Sequence, residues 1–349
     1  MSSLPVSWYT DSDQFDREKK IFGQEWLYVC PSSQLTQTGN YVTCSLMDYE
    51  IVVIRQASGS AKGFWNTCRH RGSQLLSGSG TCKSECIVCP YHGWTYELSG
   101  ELRKAPRFTD MEDFCKTDYT LAEIFVYESS GLIFINLNSP KIPDNRFDRL
   151  AQILSGYPLD QYAYRSQKSY EIACNWKTYI ENYQECYHCR TLHPLFNRNY
   201  QLDQYQVSNS DKVSHHTCPP KGEAADAESC DTELRSKDGE WIYCWPNLAL
   251  ALYEHYYDTL EIIPISPDKT KLVITFYGRN DISTEELDRL IGTVSFSTFE
   301  EDIEACERVA KGLKSLRMRQ ESQVVGPLHP VAESGVIYFD SLIRNALID

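Results

Sequence analysis

The sequence predicts an α+β protein: a small all-β domain followed by a larger domain that mixes helix and strand. Three observations predict it. From Gly39 onward, short β-branched or aromatic runs (Y-V-T-C-S-L, E-I-V-V-I-R, G-F-W-N-T-C) alternate with turn residues. In the second half two stretches, about 175–190 and 298–316, carry helical patterns. Between these regions, 139–144 with Pro140 and Pro143 is the stretch best suited to a boundary. The expected division is an N-terminal segment over 1–38 packing with the larger domain, a β domain over 39–139 and the larger domain over 140–349.

The 349 residues suffice for about two domains, and 42% hydrophobic with 23% charged residues is an ordinary globular composition. Asp and Glu outnumber Lys and Arg by 48 to 34, and no basic run is present. Such a chain is unsuited to neutralising phosphates, so no nucleic-acid partner is expected. Residues 1–16 are polar, with no apolar core of a signal peptide, and no apolar run approaches a membrane span. The 14 cysteines are therefore expected as reduced thiols in a cytoplasmic protein. Neither G-x-G-x-x-G after a strand nor a Walker sequence occurs, so reducing equivalents would come from another protein.

In chain order, residues 9–30 read as a charged helix running into a strand, with Phe15, Ile21, Phe22 and Trp26 as its buried face. W-T-Y-E-L-S-G-E-L reads as a hairpin, and G-L-I-F-I-N-L at 131–137 as a buried strand closing the β domain. Residues 160–173 and 259–278 read as strands, the latter a hairpin around 267–270. Residues 205–240 look polar and patternless, a loop or cover. In the last helix Phe299, Ile303, Cys306, Ala310 and Leu313 form one stripe, and Thr298 with Glu301 reads as a capping box.

The stretch 68–94 carries the first site. C-R-H at 68–70 is followed, after eighteen residues, by C-P-Y-H-G-W at 89–94. Two Cys/His pairs in glycine-containing turns suit a binuclear iron–sulfur cluster, with Cys68 and Cys89 on one iron and His70 and His92 on the other. Imidazoles in place of two thiolates raise the reduction potential, and such a centre passes single electrons. A Cys2His2 zinc site is the bland alternative, but zinc knuckles pair C-x2-C with H-x3-5-H. Cys82, Cys86 and Cys89 also read C-x3-C-x2-C, close to a ferredoxin run, although that leaves both histidines unexplained.

A second site is suggested in N-W-K-T-Y-I-E-N-Y-Q-E-C-Y-H-C-R-T-L-H-P. Glu185 and His188, three apart, would share a helix face, and His193 follows five residues on, where Pro194 ends the helix. Two histidines with one carboxylate from elsewhere would make an iron site with open positions. For an isolated pair of histidines a hydrogen-bonded structural role would be the default, but an independent iron–sulfur motif upstream favours a metal site.

Taken together, the C-x-H…C-x2-H motif, the N-W-K…E-N-x-x-E-x-x-H-x4-H block and the domain order resemble the catalytic subunit of Rieske non-haem iron oxygenases over nearly the whole chain. The resemblance implies a small Rieske β domain and a helix-grip-like catalytic domain, an antiparallel sheet covered by helices. It implies His188 and His193 as ligands of a mononuclear Fe(II), and Asp302 in E-D-I-E-A-C-E as the third, with Glu301 and Glu304 as rivals. Glu185 stands where the family has an acidic bridge between its metal centres. A glutamate there, in E-C-Y-H-C, is similar to the branch containing choline and carnitine monooxygenases and betaine N-demethylases. The eighteen-residue spacing is slightly longer than the family's. By resemblance the protein is a homotrimer, with Glu185 joining a ligand histidine to the neighbouring chain's cluster through His92, and NADH or NADPH enters only through a separate flavin or iron–sulfur reductase.

The implied function is hydroxylation of a small quaternary or tertiary ammonium compound with O2. Trp245, Tyr253, Tyr256 and Tyr257 cluster in one segment and are candidates for an aromatic box, although sheet packing would explain any single one equally well. An oxygenase acting on an aromatic small molecule is the alternative, and an electron-transfer ferredoxin with an appended binding domain is a third.

Overall fold

The β-branched and aromatic runs of the first half become strands because each can bury alternate or all side chains against a neighbour. The computed structural model describes residues 3–108, 111–139, 145–221, 239–292, 296–319 and 326–348. One unit spans Phe22–Pro143 and the other joins Met1–Ile21 to Asp144–Asp349. In the first unit, β1 (Leu27–Pro31), β2 (Asn40–Leu46), β3 (Tyr49–Arg55), β4 (Ala61–Trp65) and β5 (Ser79–Thr81) precede a small sheet of β6 (Cys86–Val88), β7 (Thr95–Glu97) and β8 (Leu102–Lys104). Next come β9 (Glu123–Ser129) and β10 (Leu132–Asn136), and the larger sheet runs β1-β10-β9-β4-β3-β2-β5, antiparallel throughout. The expected N-terminal segment divides at residue 21 rather than holding together to 38. β1 is buried along its whole length and takes its ladder from β10, which draws it into the β unit.

The second unit is a seven-stranded antiparallel sheet in the order β11-β17-β16-β15-β14-β13-β12. Its strands are β11 (Tyr162–Ile172), β12 (Gln206–Ser210), β13 (Val213–Cys218), β14 (Gly239–Cys244), β15 (Leu248–Leu252), β16 (Tyr256–Ser266) and β17 (Lys269–Arg279). The 259–278 hairpin is present as β16 and β17. Residues 205–240 are not patternless, since β12 and β13 lie within them; 222–238 fall outside the described residues. β12 is an edge strand whose residues are all partly exposed, and β13 buries Ser214 and His216, so neither shows apolar alternation.

Among the described residues the α-helices are α1 (Val6–Thr10), α2 (Ser12–Gln24), α3 (Arg146–Leu154), α4 (Trp176–Tyr183), α5 (Cys189–Leu192), α6 (Pro194–Asn199), α7 (Thr284–Leu290), α8 (Phe296–Met318) and α9 (Ser334–Ala346). Among the described residues, no helix is long and apolar enough to cross a membrane. α8 buries Phe299, Cys306, Ala310 and Leu313 as the stripe requires, but it begins before Thr298, which therefore lies inside the helix rather than capping it.

The N-W-K triplet is an anchor. Asn175 caps α4 by accepting from Lys177 N and donates through Nδ2 to Tyr9 O and Pro267 O. Trp176 Nε1 donates to Glu18 Oε2 at 2.8 Å, and Lys177 Nζ lies 2.7 Å from both Glu18 oxygens. Both charged side chains are fully buried; burial lowers the Lys177 pKa and Glu18 opposes that. Lys177→Met is predicted to destabilise the second unit by about 3–5 kcal/mol, because it strands a buried carboxylate. A urea midpoint corresponding to under about 1 kcal/mol of loss would contradict this, that being the scale of an exposed pair.

Candidate active site

In the β unit two loops repeat one construction. Gly72 N donates to Cys68 O and Gly93 N to Cys89 O, and both glycines sit at φ +72°. That left-handed conformation, four residues after each cysteine, folds each loop back and sets Cys and His on the same tip. Cys68 and Cys89 are buried, and Tyr96 OH lies 3.2 Å from Cys68 Sγ and accepts from Arg69 N. The His70 and His92 rings are 4.7 Å apart between centroids, and His70 stacks on Trp94 at 4.9 Å. His92 is exposed, as is Tyr91 beside it.

The residues fit a [2Fe-2S] cluster. His70 Nδ1 is buried without a hydrogen-bond partner, a donor atom suited to a metal. Burial raises the Cys68 thiol above its ordinary value, a cost that coordination to a cation removes. Among the described residues, the trio gathered tightly enough for a single ion lies elsewhere, which argues against one zinc at these loops. Cys82 is buried in the β-domain core, its thiol pushed up to about 11 by burial, and Cys86 Sγ donates to Lys83 O, so each has a structural setting of its own.

The single-ion trio is His188, His193 and Asp302, whose ligand atoms lie within 4.8 Å of one another. The expected long helix over 175–190 does not form: α4 stops at Tyr183, and Gln184 N caps it on Ile180 O and Glu181 O. Glu185 and His188 therefore share a turn, not a helix face. Glu185 Oε2 accepts from the backbone N of Tyr187 and His188, and Oε1 lies 2.5 Å from His188 Nδ1. His193 falls between α5 and α6, with Pro194 opening the latter. Its Nδ1 is 2.7 Å from Glu301 Oε2. Glu301, a rival for the metal, is thus the partner of a ligand candidate, and Glu304 instead pairs with Arg308. The sequence signal for Glu301 was its place beside Asp302, one position round the helix.

With each Nδ1 turned to a carboxylate, each Nε2 points inward. His188 Nε2 is 3.1 Å from His193 Nε2, and Asp302 Oδ1 is 3.5 and 3.0 Å from the two. Burial opposes protonation of His193, yet Asp302 and Glu301 outweigh it and raise its pKa. Three lone-pair atoms facing one point suit a divalent metal, and carboxylates behind both imidazoles are the usual orienting partners. A disulfide joins Cys186 to Cys189 around Tyr187 and His188, which corrects the expectation of thiols there. The C-x2-C turn brings their Cα atoms to 5.0 Å, within bonding range. Among the described residues, no disulfide other than Cys186–Cys189 is present.

A cleft opens on the trio. Tyr200, Tyr205, Trp241, Tyr253 and Phe196 line it, with Asp258. Of the four aromatic residues expected there, Tyr253 takes part, whereas Trp245, Tyr256 and Tyr257 do not line the cleft. Trp245 packs on Trp176 and Phe339, Tyr257 stacks on Tyr277, and Tyr256 is fully buried against Phe276. Tyr205 is positioned by His216, whose Nδ1 accepts from Tyr205 OH at 2.7 Å while Nε2 donates to Gln184 Oε1 at 3.1 Å. Burial pushes His216 down to about 3, so it stays neutral and can play both parts.

One site suited to single-electron transfer and another suited to oxygen chemistry at iron define an iron-dependent oxidoreductase. The Rieske [2Fe-2S] domain model matches residues 25–115, and the ring hydroxylating alpha subunit (catalytic domain) model matches 159–347. The chain belongs to this family, the Rieske non-haem iron oxygenases, with a [2Fe-2S] cluster and a non-haem iron as its cofactors. It is 30% identical to the carnitine monooxygenase oxygenase subunit of Acinetobacter pittii, over 98% of this chain and 94% of that one. It is 27% identical to the chloroplastic choline monooxygenase of Beta vulgaris, over 98% and 76%. A solved quaternary ammonium Rieske monooxygenase, studied for carnitine oxidation by gut microbiota and inter-subunit electron transfer, superposes with a TM-score of 0.85 at 28% identity, covering 99% and 95% of the two chains.

Proposed function

We propose that this chain is the oxygenase subunit of a monooxygenase acting on a small quaternary or tertiary ammonium compound. The observation that carries the reading is an aromatic, acid-bearing cleft opening directly on His188, His193 and Asp302. In this reading His188, His193 and Asp302 hold the iron, and Cys68, Cys89, His70 and His92 hold the cluster. Iron held at the trio would supply oxygen activation, and a cluster held at the two loops would supply single electrons. Glu185 and Glu301 hold the two imidazoles with Nε2 inward, and the aromatic walls exclude water and seat the ammonium group. Hydroxylation of an N-methyl carbon gives a carbinolamine that collapses to the demethylated amine and formaldehyde. At the alcohol carbon of choline it gives an aldehyde hydrate.

A separate reductase would supply the electrons, and the working unit is a homotrimer in which His92 of one chain and Glu185 of the next would join the cluster site to the iron site. Exposure of His92 and of Tyr91 supports a cluster that meets partner surfaces. The test is an oxygen-uptake and formaldehyde screen of choline, betaines, carnitine and simple aromatics with a generic reductase and NADH. Turnover of an ammonium compound is expected. Turnover confined to uncharged aromatics would overturn the reading.

A further inference from the structure

The catalytic sheet turns one face to the cleft, and strand register decides what stands on it. Trp241 on β14 pairs with Ala251 on β15, Ala251 with Asp258 on β16, and Asp258 with Phe276 on β17. Directly opposed residues share a face, so Asp258 stands in a row with Trp241 and Ala251, and all three line the cleft. A carboxyl group in such a row is costly unless it has a partner. Asp258 is 2% exposed, and its Oδ2 has no hydrogen-bond partner. Burial alone pushes the carboxyl up to about 8, which favours its neutral form at neutral pH, and a cation beside it would draw it back to the ionised form.

The surroundings narrow what that partner is. Glu185 is engaged by His188, and Asp302 faces the two inward imidazole nitrogens. Among the described residues lining the cleft there is no lysine or arginine. A trimethylammonium group has no N–H, so its best partners are ring faces and an uncommitted anion. Trp241, Tyr253 and Asp258 offer both. A carboxylate on the substrate would find no lysine or arginine among the described residues lining the cleft and would face Asp258 in its wall, and a flat hydrocarbon would leave Asp258 Oδ2 buried without a partner.

We propose that Asp258 is the counter-charge for the substrate's ammonium head, in one subsite with Trp241 and Tyr253, and that the substrate carries a net positive charge and no carboxylate, as choline does and carnitine and glycine betaine do not. This rests on the oxygenase reading above and narrows its substrate class.

The test is Asp258→Asn in the enzyme loaded with cluster and iron, with the cluster's visible spectrum reporting an intact fold. Substrates are choline, its uncharged carbon isostere 3,3-dimethyl-1-butanol, carnitine and glycine betaine, and tetramethylammonium binding is followed by calorimetry. The variant should raise the KM for choline and the Kd for tetramethylammonium by about 10- to 100-fold, the range for losing one charged partner. The KM for the uncharged isostere should stay within about twofold, which a general structural effect would not allow. Equal shifts for charged and uncharged compounds, or no shift for either, overturn the assignment. Carnitine or glycine betaine turned over as efficiently as choline overturns the net charge. If the wild type oxidises no ammonium compound yet Asp258→Asn still abolishes tetramethylammonium binding, the oxygenase reading falls and the subsite stands.

Discussion

His188→Ala is expected to abolish substrate oxidation while leaving the visible absorption of the iron–sulfur cluster unchanged. Three donor atoms converge at the proposed iron position, and removing one imidazole leaves a single nitrogen and a single carboxylate. Glu185 cannot take its place cheaply, since its Oε2 is already held by the backbone of the 185–188 turn. The cluster loops are built by their own backbone hydrogen bonds to Cys68 and Cys89, so they have no stake in His188. Iron analysis, the visible spectrum and oxygen uptake on one preparation check this. Continued oxidation of substrate by the variant would remove His188 from the ligand set. Glu301→Gln is a useful contrast, because losing a partner behind a ligand histidine typically costs about 10–100-fold in metal affinity rather than all of it.

The second large effect is expected from Glu185→Gln. Glutamine keeps an acceptor oxygen for His188 Nδ1, so the imidazole stays oriented and iron binding weakens by no more than about 100-fold. Saturating iron removes that part of the loss. If Glu185 also joins the iron site to the neighbouring chain's cluster, turnover stays low at saturating iron, and a pre-reduced cluster fails to reoxidise when oxygen and substrate are added. If coupled turnover returns with added iron, Glu185 is an orienting residue only. The pairing with His188 Nδ1 at 2.5 Å is the intrachain half of the proposed bridge.

The first site was legible because it is local. Each Cys/His pair spans three or four residues, a glycine follows each cysteine by four, and short spacing alone places donors on one loop tip. The hairpin of β16 and β17, the buried run of β10 and the stripe on α8 were legible for a similar reason: periods of two and near 3.6 survive wherever one face is buried. Polar strands defeat the same reading. β12 and β13 show no alternation, because an edge strand stays half-exposed and His216 is held inside by Tyr205 and Gln184.

What the sequence by itself set out was two candidate metal sites, the order of the two domains and the histidines of the candidate catalytic site, all from short-range spacing or from resemblance along the whole chain. Tertiary structure decided which carboxylate faces which imidazole nitrogen. Asp302 joins the two imidazoles, whereas Glu301, one residue away and rotated by the helix, reaches behind His193 instead. It also decided the cleft wall. Trp245, Tyr256 and Tyr257 looked like a box because they are near in sequence, yet strand register put Trp241, Ala251 and Asp258 in the row that faces the cleft. Adjacent residues of a strand point to opposite faces, so nearness along the chain says little about who shares a pocket, and only the pairing of distant strands settles it.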